Sequence, residues 1–409
     1  MHVVFVAPFF MQATLRFVYG AAELPGVRLS LISQDPLHRL PPSLRARLVG
    51  HEQIADGLNP AQIAIAVQKL AAHLGSPGRI LATLEQAQVP VAQVREALKI
   101  EGLGVEAARN FRDKARMKSI LRAEGIACAR HRLAGDARTA IDFVEQVGFP
   151  IVVKPPAGAG AKATFKLENE RDLRKYLSAY PPNPANPGLL EEFMTGSEFS
   201  FESALLRGET CWSSWSAYMP SPLQVLENDW IQWCVLLPRN TGGDEQRAIA
   251  PAAAKALKVL GLENGFSHLE WFRREDGSVA ISEVGARPPG AQFMSLLSHA
   301  HDWNFYRGWA GLMALDEFEP PERKYACGAA YIRGQGRGPV RAIHGLDAAQ
   351  ARMGHLVVEA HLPKPGQAAS DSYEGDGFVI LRHPDTDVVK AALKELVTTV
   401  QVERAPSGA

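Results

Sequence analysis

A multidomain chain of mixed α/β and α+β class is predicted by three features of the sequence. Residues 1–101 alternate short apolar runs with helical stretches, the pattern of a parallel α/β layer. Residues 188–284 string together strand-like segments with one long helical interruption, as an antiparallel sheet would, and residues 326–405 are glycine-rich short strands ending in a helix. At ~150 residues per domain, the 409 residues allow two to four domains. A content of 46% hydrophobic and 22% charged residues excludes a mainly disordered chain. Lys+Arg and Asp+Glu both total 44, so no global charge draws the chain to nucleic acid or to an anionic membrane. The cysteines Cys128, Cys211, Cys234 and Cys327 are widely spaced with no C-x-x-C, which suggests neither a disulfide framework nor a zinc site and fits a reducing cytoplasm. No uninterrupted apolar run reaches the ~18 residues of a membrane span. The opening run Met1–Phe10 has no Lys or Arg ahead of it and is interrupted by Pro8, so it reads as a buried first strand and not as a signal peptide.

Taken in order, strands are expected at Val3–Ala7, Val27–Ile32 and Arg79–Ala82, with helices at Pro60–Leu74 and Val91–Ile100. The turn after the first strand, Ala7-Pro8-Phe9-Phe10, has no G-x-G-x-x-G to approach a pyrophosphate, which argues against a dinucleotide site and NAD chemistry there. A basic helical stretch from Gly102 to Glu124 contains Arg112-Asp113-Lys114 and stops at Gly125. A mixed unit follows: helix Ala137–Val147, strand Ile151–Lys154, loop Ala157–Ala161, a strand near Thr164–Leu167 and helix Glu170–Tyr180. Beyond the Pro/Asn-rich turn Pro181–Gly188 come strands Gly188–Phe193, Glu198–Leu206, Thr210–Tyr218 and Trp230–Leu237, helix Asp244–Leu260 and a hairpin Phe266–Val284.

Three segments carry candidate chemistry. In the hairpin, Asp276-Gly277 is a strong two-residue turn; Glu275 then opposes Ser278, and Glu270 falls opposite Glu283. Carboxylates directly opposite, with Cβ atoms ~5 Å apart, repel unless a cation joins them, and Mg²⁺ favours one or two carboxylates plus phosphate oxygens. Two solvated glutamates are the plain alternative, weakened by His268 and Arg287 sharing their parity. In the second segment, strand Ile151–Lys154 runs into Ala157-Gly158-Ala159-Gly160-Ala161-Lys162, a small-residue loop able to wrap phosphates, or a flexible connection; it lacks the Walker A pattern. The third, Leu189 to Glu198, reads by itself as a strand, a turn at Thr195-Gly196 and a second strand.

In this order the pieces resemble the ATP-grasp superfamily of ligases over nearly the whole chain, most closely L-amino acid ligases of the dipeptide-forming, carnosine-synthase-like type. The resemblance implies an ATP-grasp fold with an N-terminal α/β pre-ATP-grasp domain (1–101), an ATP-grasp domain (102–325, with a lid at about 133–188) and a small C-terminal β-rich domain (326–409). It implies ATP and one or two Mg²⁺ ions, or Mn²⁺, as cofactors. Lys114 and Lys154 match the two nucleotide lysines, Gly158, Gly160 and Lys162 the phosphate loop, and Glu191, Glu192 and Met194 the adenine hinge. Glu198 matches the ribose ligand, Glu270 and Glu283 the metal pair, and Arg287 the arginine that steadies an acyl phosphate. Gly285 stands where many relatives have Asn. His268 would orient the nucleophile or acceptor, or else be structural. Tyr218, Trp230, Trp233 and Gly290 would wall the substrate pocket, although strand aromatics also serve as core. The implied activity joins an activated carboxylate to an amine, with ADP and phosphate released, in the cytoplasm. The expected partners are a small-molecule carboxylate and amine, with no nucleic acid or membrane; a homodimer is compatible. A biotin carboxylase-like enzyme and a non-catalytic nucleotide-binding module are the alternatives. Retention of both lysines, both acids and Arg287 favours the enzyme over the module.

Overall fold

The computed structural model describes the whole chain except residues 158–162, 229–230, 337, 371, 373 and 407–409. In the N-terminal module β1 (His2–Val6), β2 (Arg28–Ser33), β3 (Gly50–Gln53) and β4 (Arg79–Leu81) form a parallel sheet in the order β3-β2-β1-β4. Every residue of β1 is buried, as a strand covered on both faces requires. One cover is helix Gln12–Ala22, which packs on helix Phe305–Leu315 with Phe17 edge-on to Trp309 at 5.0 Å. The helices approach so closely at Gly20 that a Cβ there would lie 2.8 Å from the backbone of Tyr306 and Arg307.

The basic segment is two helices and not one continuous stretch. Val105–Arg112 and Lys114–Ala123 are broken at Asp113, whose extended backbone and carboxylate cap the second helix by accepting from the N–H groups of Ala115 and Arg116. A small antiparallel sheet follows, with β5 (His131–Ala134), β6 (Ile151–Lys154), β7 (Phe165–Leu167) and β8 (Gly188–Glu192) in the order β5-β8-β6-β7. Phe143 and Leu173, from helices Ala137–Val147 and Glu170–Ala179, bury themselves against Ile151, Val153 and Leu190.

The remaining strands are β9 (Ser197–Leu206), β10 (Glu209–Met219), β11 (Trp233–Leu237), β12 (Gly265–Arg273), β13 (Val279–Gly285), β14 (Ala326–Ile332), β15 (Val340–His344), β16 (Val357–His361), β17 (Gly377–His383) and β18 (Gln401–Arg404). β15 and β18 pair with each other, and the other eight form one antiparallel sheet in the order β13-β12-β9-β10-β11-β14-β17-β16. The strands beyond 326 therefore continue the central sheet, joined at Trp233↔Tyr331 through Leu237↔Cys327. Helices Lys114–Ala123 and Asp244–Leu260 cover one face of β12 and β13, burying Trp271 and Ile281; helices Phe293–His301 and Phe305–Leu315 share a second core with β11 and the N-terminal sheet. Among the described residues no helix is long and apolar enough to cross a membrane.

A polar tie joins three of these layers. Glu359 on β16 accepts from Arg16 of the first helix and lies 3.1 Å from His299 Nε2, while Arg16 also donates to Ser295 Oγ at 2.6 Å. The His299 hydrogen bond, with Arg16 beside it, outweighs partial burial and holds the Glu359 carboxyl at about 2, below the usual 4.5. A carboxyl depressed in the folded state stabilises fully above its unfolded value, and that contribution fades as pH falls towards the folded value. Wild type should therefore exceed Glu359→Gln in unfolding free energy by about 1–3 kcal/mol above pH 5. In urea titrations across pH the gap should shrink as pH falls from about 4.5 towards 2; a gap independent of pH would refute the tie.

Candidate active site

The β12–β13 hairpin brings Glu270 opposite Glu283, by a route that differs from the expected one. The turn has three residues, Glu275-Asp276-Gly277, closed by Arg274 N–H to Ser278 O at 2.9 Å. The Asp276 carboxylate accepts from the Ser278 N–H and hydroxyl at 2.9 and 2.6 Å, and Gly277 takes a left-handed φ of +79°. Near the turn the pairs are therefore Arg273↔Val279, Phe272↔Ala280 and Trp271↔Ile281, one residue out of the expected register. A bulge at Ser282 restores it, giving Glu270↔Glu283 and His268↔Gly285.

The bulge carbonyl has a specific partner: Lys118 Nζ donates to Ser282 O at 2.5 Å. Lys118 is wholly buried and lies 3.5 Å from Glu191 Oε1, while Lys154 Nζ lies 2.9 Å from Glu191 Oε2. Oε1 has no hydrogen bond among the described residues, so Lys118 holds it chiefly by charge. Burial pushes the Glu191 carboxyl up, and the two lysines more than reverse this and lower it. Burial lowers Lys118; for Lys154 the same burial is overcome by Glu191 and Glu283, and its pKa rises. Lys114 Nζ sits 2.8 Å from Glu283, whose carboxyl is held at about 2 against burial by Lys114 and Lys154. The facing carboxylates are thus not a bare repelling pair; the cation comes from the helix Lys114–Ala123.

Glu270 is met by the Tyr218 hydroxyl at 3.4 Å and by His268 Nε2 at 3.7 Å. Nδ1 of His268 is 2.9 Å from Glu202, a fully buried carboxylate directly across on β9. Burial lowers the imidazole pKa, but hydrogen bonds to Glu202 and Glu270 carry it up to about 9, so the ring is an imidazolium near neutrality. Glu198 goes the other way: burial, and then the charge of Glu270, raise its carboxyl well above the usual range. Arg287 donates through Nε to Glu85 and through an NH group to Pro288 O at 2.9 Å.

These groups, Lys118 and Glu202 aside, line one cleft of about 560 Å³ between the N-terminal module, the small sheet and the central sheet. Lys114, Lys154, Glu191, Glu192, Met194, Glu198, Tyr218, Trp233, His268, Glu270, Glu283, Arg287 and Gly290 are all on its wall. The Glu192 side chain is turned to Arg130, accepting from its backbone N–H at 2.8 Å and from Nε at 2.5 Å. Trp233 is almost completely buried, stacked on Tyr331 at 4.6 Å, and backs Tyr218 edge-on at 5.4 Å, so it is core as well as wall. Gly158, Gly160, Lys162 and Trp230 lie outside the described residues.

Three residues that sequence reasoning passed over complete the arrangement: Lys118, Glu202 and Glu85. Lys118 had a signal, being four residues after Lys114 and so one turn along the same helix face. Glu202 and Glu85 had none, since their partners are distant in sequence. Among the described residues no group of three or more His, Cys, Asp or Glu is arranged to hold a metal ion. Glu270 and Glu283 alone match a cation that takes two carboxylates and completes its shell with phosphate oxygens and water, as Mg²⁺ does.

The chain is similar to known proteins in the same sense as this geometry. Residues 119–299 match the family model of the ATP-grasp domain. An L-arginine-specific L-amino acid ligase of Bacillus subtilis is 26% identical over 246 residues, 59% of this chain and 58% of that protein, so the match spans less than two thirds of the relative's length. Among solved structures, an L-amino acid ligase from Bacillus licheniformis superposes with a TM-score of 0.78 at 18% identity, covering 99% of each chain. N5-carboxyaminoimidazole ribonucleotide synthetase from Thermotoga maritima gives 0.69 at 16% identity, again covering 99% of each. At these identities the structural likenesses establish the fold.

Lys118→Met leaves buried Glu191 with Lys154 as its remaining cation and removes the donor to Ser282 O, so it should cost about 1–3 kcal/mol, and the cost should be smaller when Glu191 is already Gln. Urea unfolding of wild type, both single variants and the double variant gives the coupling directly. Additive losses would show that the pair does not act as a unit.

Proposed function

Starting from a chain with the ATP-grasp fold, we propose that it is an ATP-dependent carboxylate–amine ligase, which activates an amino acid carboxylate as an acyl phosphate and joins it to an amine. The observation that carries this reading is the facing pair Glu270 and Glu283 in one cleft with Lys114 and Lys154 and with Arg287. Phosphoryl transfer asks a protein mainly to place groups and neutralise charge, and this cleft sets cations beside each facing carboxylate, Lys114 at 2.8 Å from Glu283 and His268 at 3.7 Å from Glu270, with Lys154 and Arg287 on the same wall.

In this reading Lys114 and Lys154 take the ATP phosphates, and the backbone of Glu192 and Met194 meets the adenine. Glu198 meets the ribose, its carboxyl oxygens accepting from the hydroxyls. Glu270 and Glu283 hold Mg²⁺, which when bound neutralises phosphate charge. A substrate carboxylate oxygen attacks the γ-phosphorus and the bond to ADP breaks, leaving an acyl phosphate. Arg287 suits both species because its planar guanidinium can bond two oxygens. The amine then attacks the acyl carbon, phosphate leaves, and the amine proton passes to phosphate or solvent. His268, held as a cation by Glu202, is a hydrogen-bond donor and fixed charge at this step and not a base.

A panel of amino acids with ATP and Mg²⁺, read by mass spectrometry for amides and by phosphate release, tests the activity. Absence of both products with every amino acid would sink it. Arg287→Ala should retain ATP affinity within a few-fold while single-turnover ADP formation falls about 10²–10³-fold, since charge on the transferring group grows along the reaction. Arg287→Lys should restore only part, because an ammonium lacks the fork. Wild-type rates in well-folded Arg287→Ala protein would end the assignment.

A further inference from the structure

The cleft has a further side that neither the nucleotide lysines nor the metal pair uses. Glu374, from the segment that leads into β17, stands on its wall together with residues of the first helix and of helix Pro222–Glu227. The segment is built to hold it there. Gly375 takes a left-handed φ of +67°, and a Cβ there would lie 2.4 Å from Arg333 Cγ and 2.5 Å from Ile332 O, so the chain passes the end of β14 only as glycine. The Asp376 N–H then donates to Ile332 O at 2.9 Å, and its buried carboxylate accepts from Arg404 and from the Ser370 N–H. Arg333, on which Gly375 packs, donates to the carbonyls of Val225 and Ile231 at 2.7 and 3.1 Å. It thereby ties the same segment to the helix that brings Leu223 to the wall.

The other carboxylates of the wall are mostly answered: Glu85 by Arg287, Glu191 by two lysines, Glu192 by Arg130, Glu270 by Tyr218 and His268, and Glu283 by Lys114. Among the described residues no side chain reaches the carboxylates of Glu198 and Glu374 with a hydrogen bond or ion pair, and Glu198 is on the nucleotide side. Burial raises the Glu374 carboxyl with no neighbouring cation to offset it, so a cation brought to it would stabilise its charged form. Its place decides which part of a substrate it meets. β14, on whose end the segment rests, is four strands along the sheet from β12 and Glu270, up to ~19 Å at ~4.8 Å per strand. Glu374 thus faces the far end of a substrate and not its reacting atoms, and the same wall carries Phe17, Leu223, Phe293 and Met294, which suit methylene groups. We propose that Glu374 is a specificity-determining residue that selects an amino acid with a cationic side chain, an ammonium or a guanidinium on an aliphatic stem. This rests on the ligase reading above and names its substrate class. A carboxylate offers either cation charge-assisted hydrogen bonds, and a neutral isostere leaves it without them.

The test compares wild type and Glu374→Gln with arginine against citrulline and lysine against norleucine, each neutral analogue being close in shape to its charged partner. Wild type should favour the charged member of at least one pair by about 10²-fold in kcat/KM, and in Glu374→Gln that ratio should fall to within about threefold of one at an unchanged melting temperature. A preference confined to arginine identifies a guanidinium site, and one confined to lysine an ammonium site. Fragmentation of the amide shows whether the cationic residue supplied the carboxylate or the amine. Ratios near one in wild type, a ratio kept in Glu374→Gln, or a loss shared equally by charged and neutral members would each overturn the proposal. A wild-type protein that makes no amide overturns the ligase reading instead. Calorimetric binding of the same four amino acids, with an ATP analogue and Mg²⁺ present, then decides for Glu374 by itself. Tighter binding of a charged member that is lost in Glu374→Gln upholds its selective role, and equal binding of charged and neutral members ends it.

Discussion

The carboxylate of Glu191 is the point on which the cleft depends. It is the penultimate residue of β8, nearly inaccessible, and it stands between Lys118 of a helix and Lys154 at the end of β6. Three elements are thus fixed to one another by a single anion. Isolated, any of the three charges would be expensive to bury; together they tolerate burial only in one relative placement. Lys118 also reaches the bulge carbonyl of Ser282, which extends the constraint to β13 and hence to Glu283. The small sheet, the basic helix and the metal-pair hairpin are aligned by this cluster, and apolar packing alone would leave their relative slide less specified.

Much of this was legible in the sequence because it was local. Helices Pro60–Leu74 and Asp244–Leu260 match their apolar periodicity residue for residue, and β1 is the expected buried run. Lys114, Lys154, Glu270, Glu283 and Arg287 sit at recognisable steps in a series of motifs, and they share one cleft. Other features depended on contacts that periodicity does not report. Glu202 is an unremarkable residue within a strand until β12 is laid beside it, and Glu85 sits 202 positions from Arg287. The hairpin is the instructive case. An Asx turn lengthened the loop by one residue, and a bulge whose carbonyl is taken by a lysine 164 positions away removed the offset. Register deduced from a turn dipeptide was right at Glu270 and Glu283 and wrong between them and the turn.

The electrostatic pattern divides the cleft. Around Glu283 the cations prevail and hold its carboxyl ionised; at Glu198, near Glu270 and buried, the carboxyl resists ionisation. Two glutamates on one sheet are thus pushed in opposite directions by their neighbours, Glu283 towards the ionised form that pairs with a cation and Glu198 away from it.

The order of the central sheet also bears on how the chain comes to be made. β11 is Trp-Cys-Val-Leu-Leu, buried along its whole length, and its neighbours are β10, which precedes it, and β14, which emerges about 90 residues later in synthesis. Until β14 arrives, a nascent chain presents β11 as an open, apolar edge, the form of strand most prone to pair with the wrong partner. The last strands are therefore as much a closure for the middle of the protein as an appendage to its end, and chains cut short before 326 should be the aggregating species during expression.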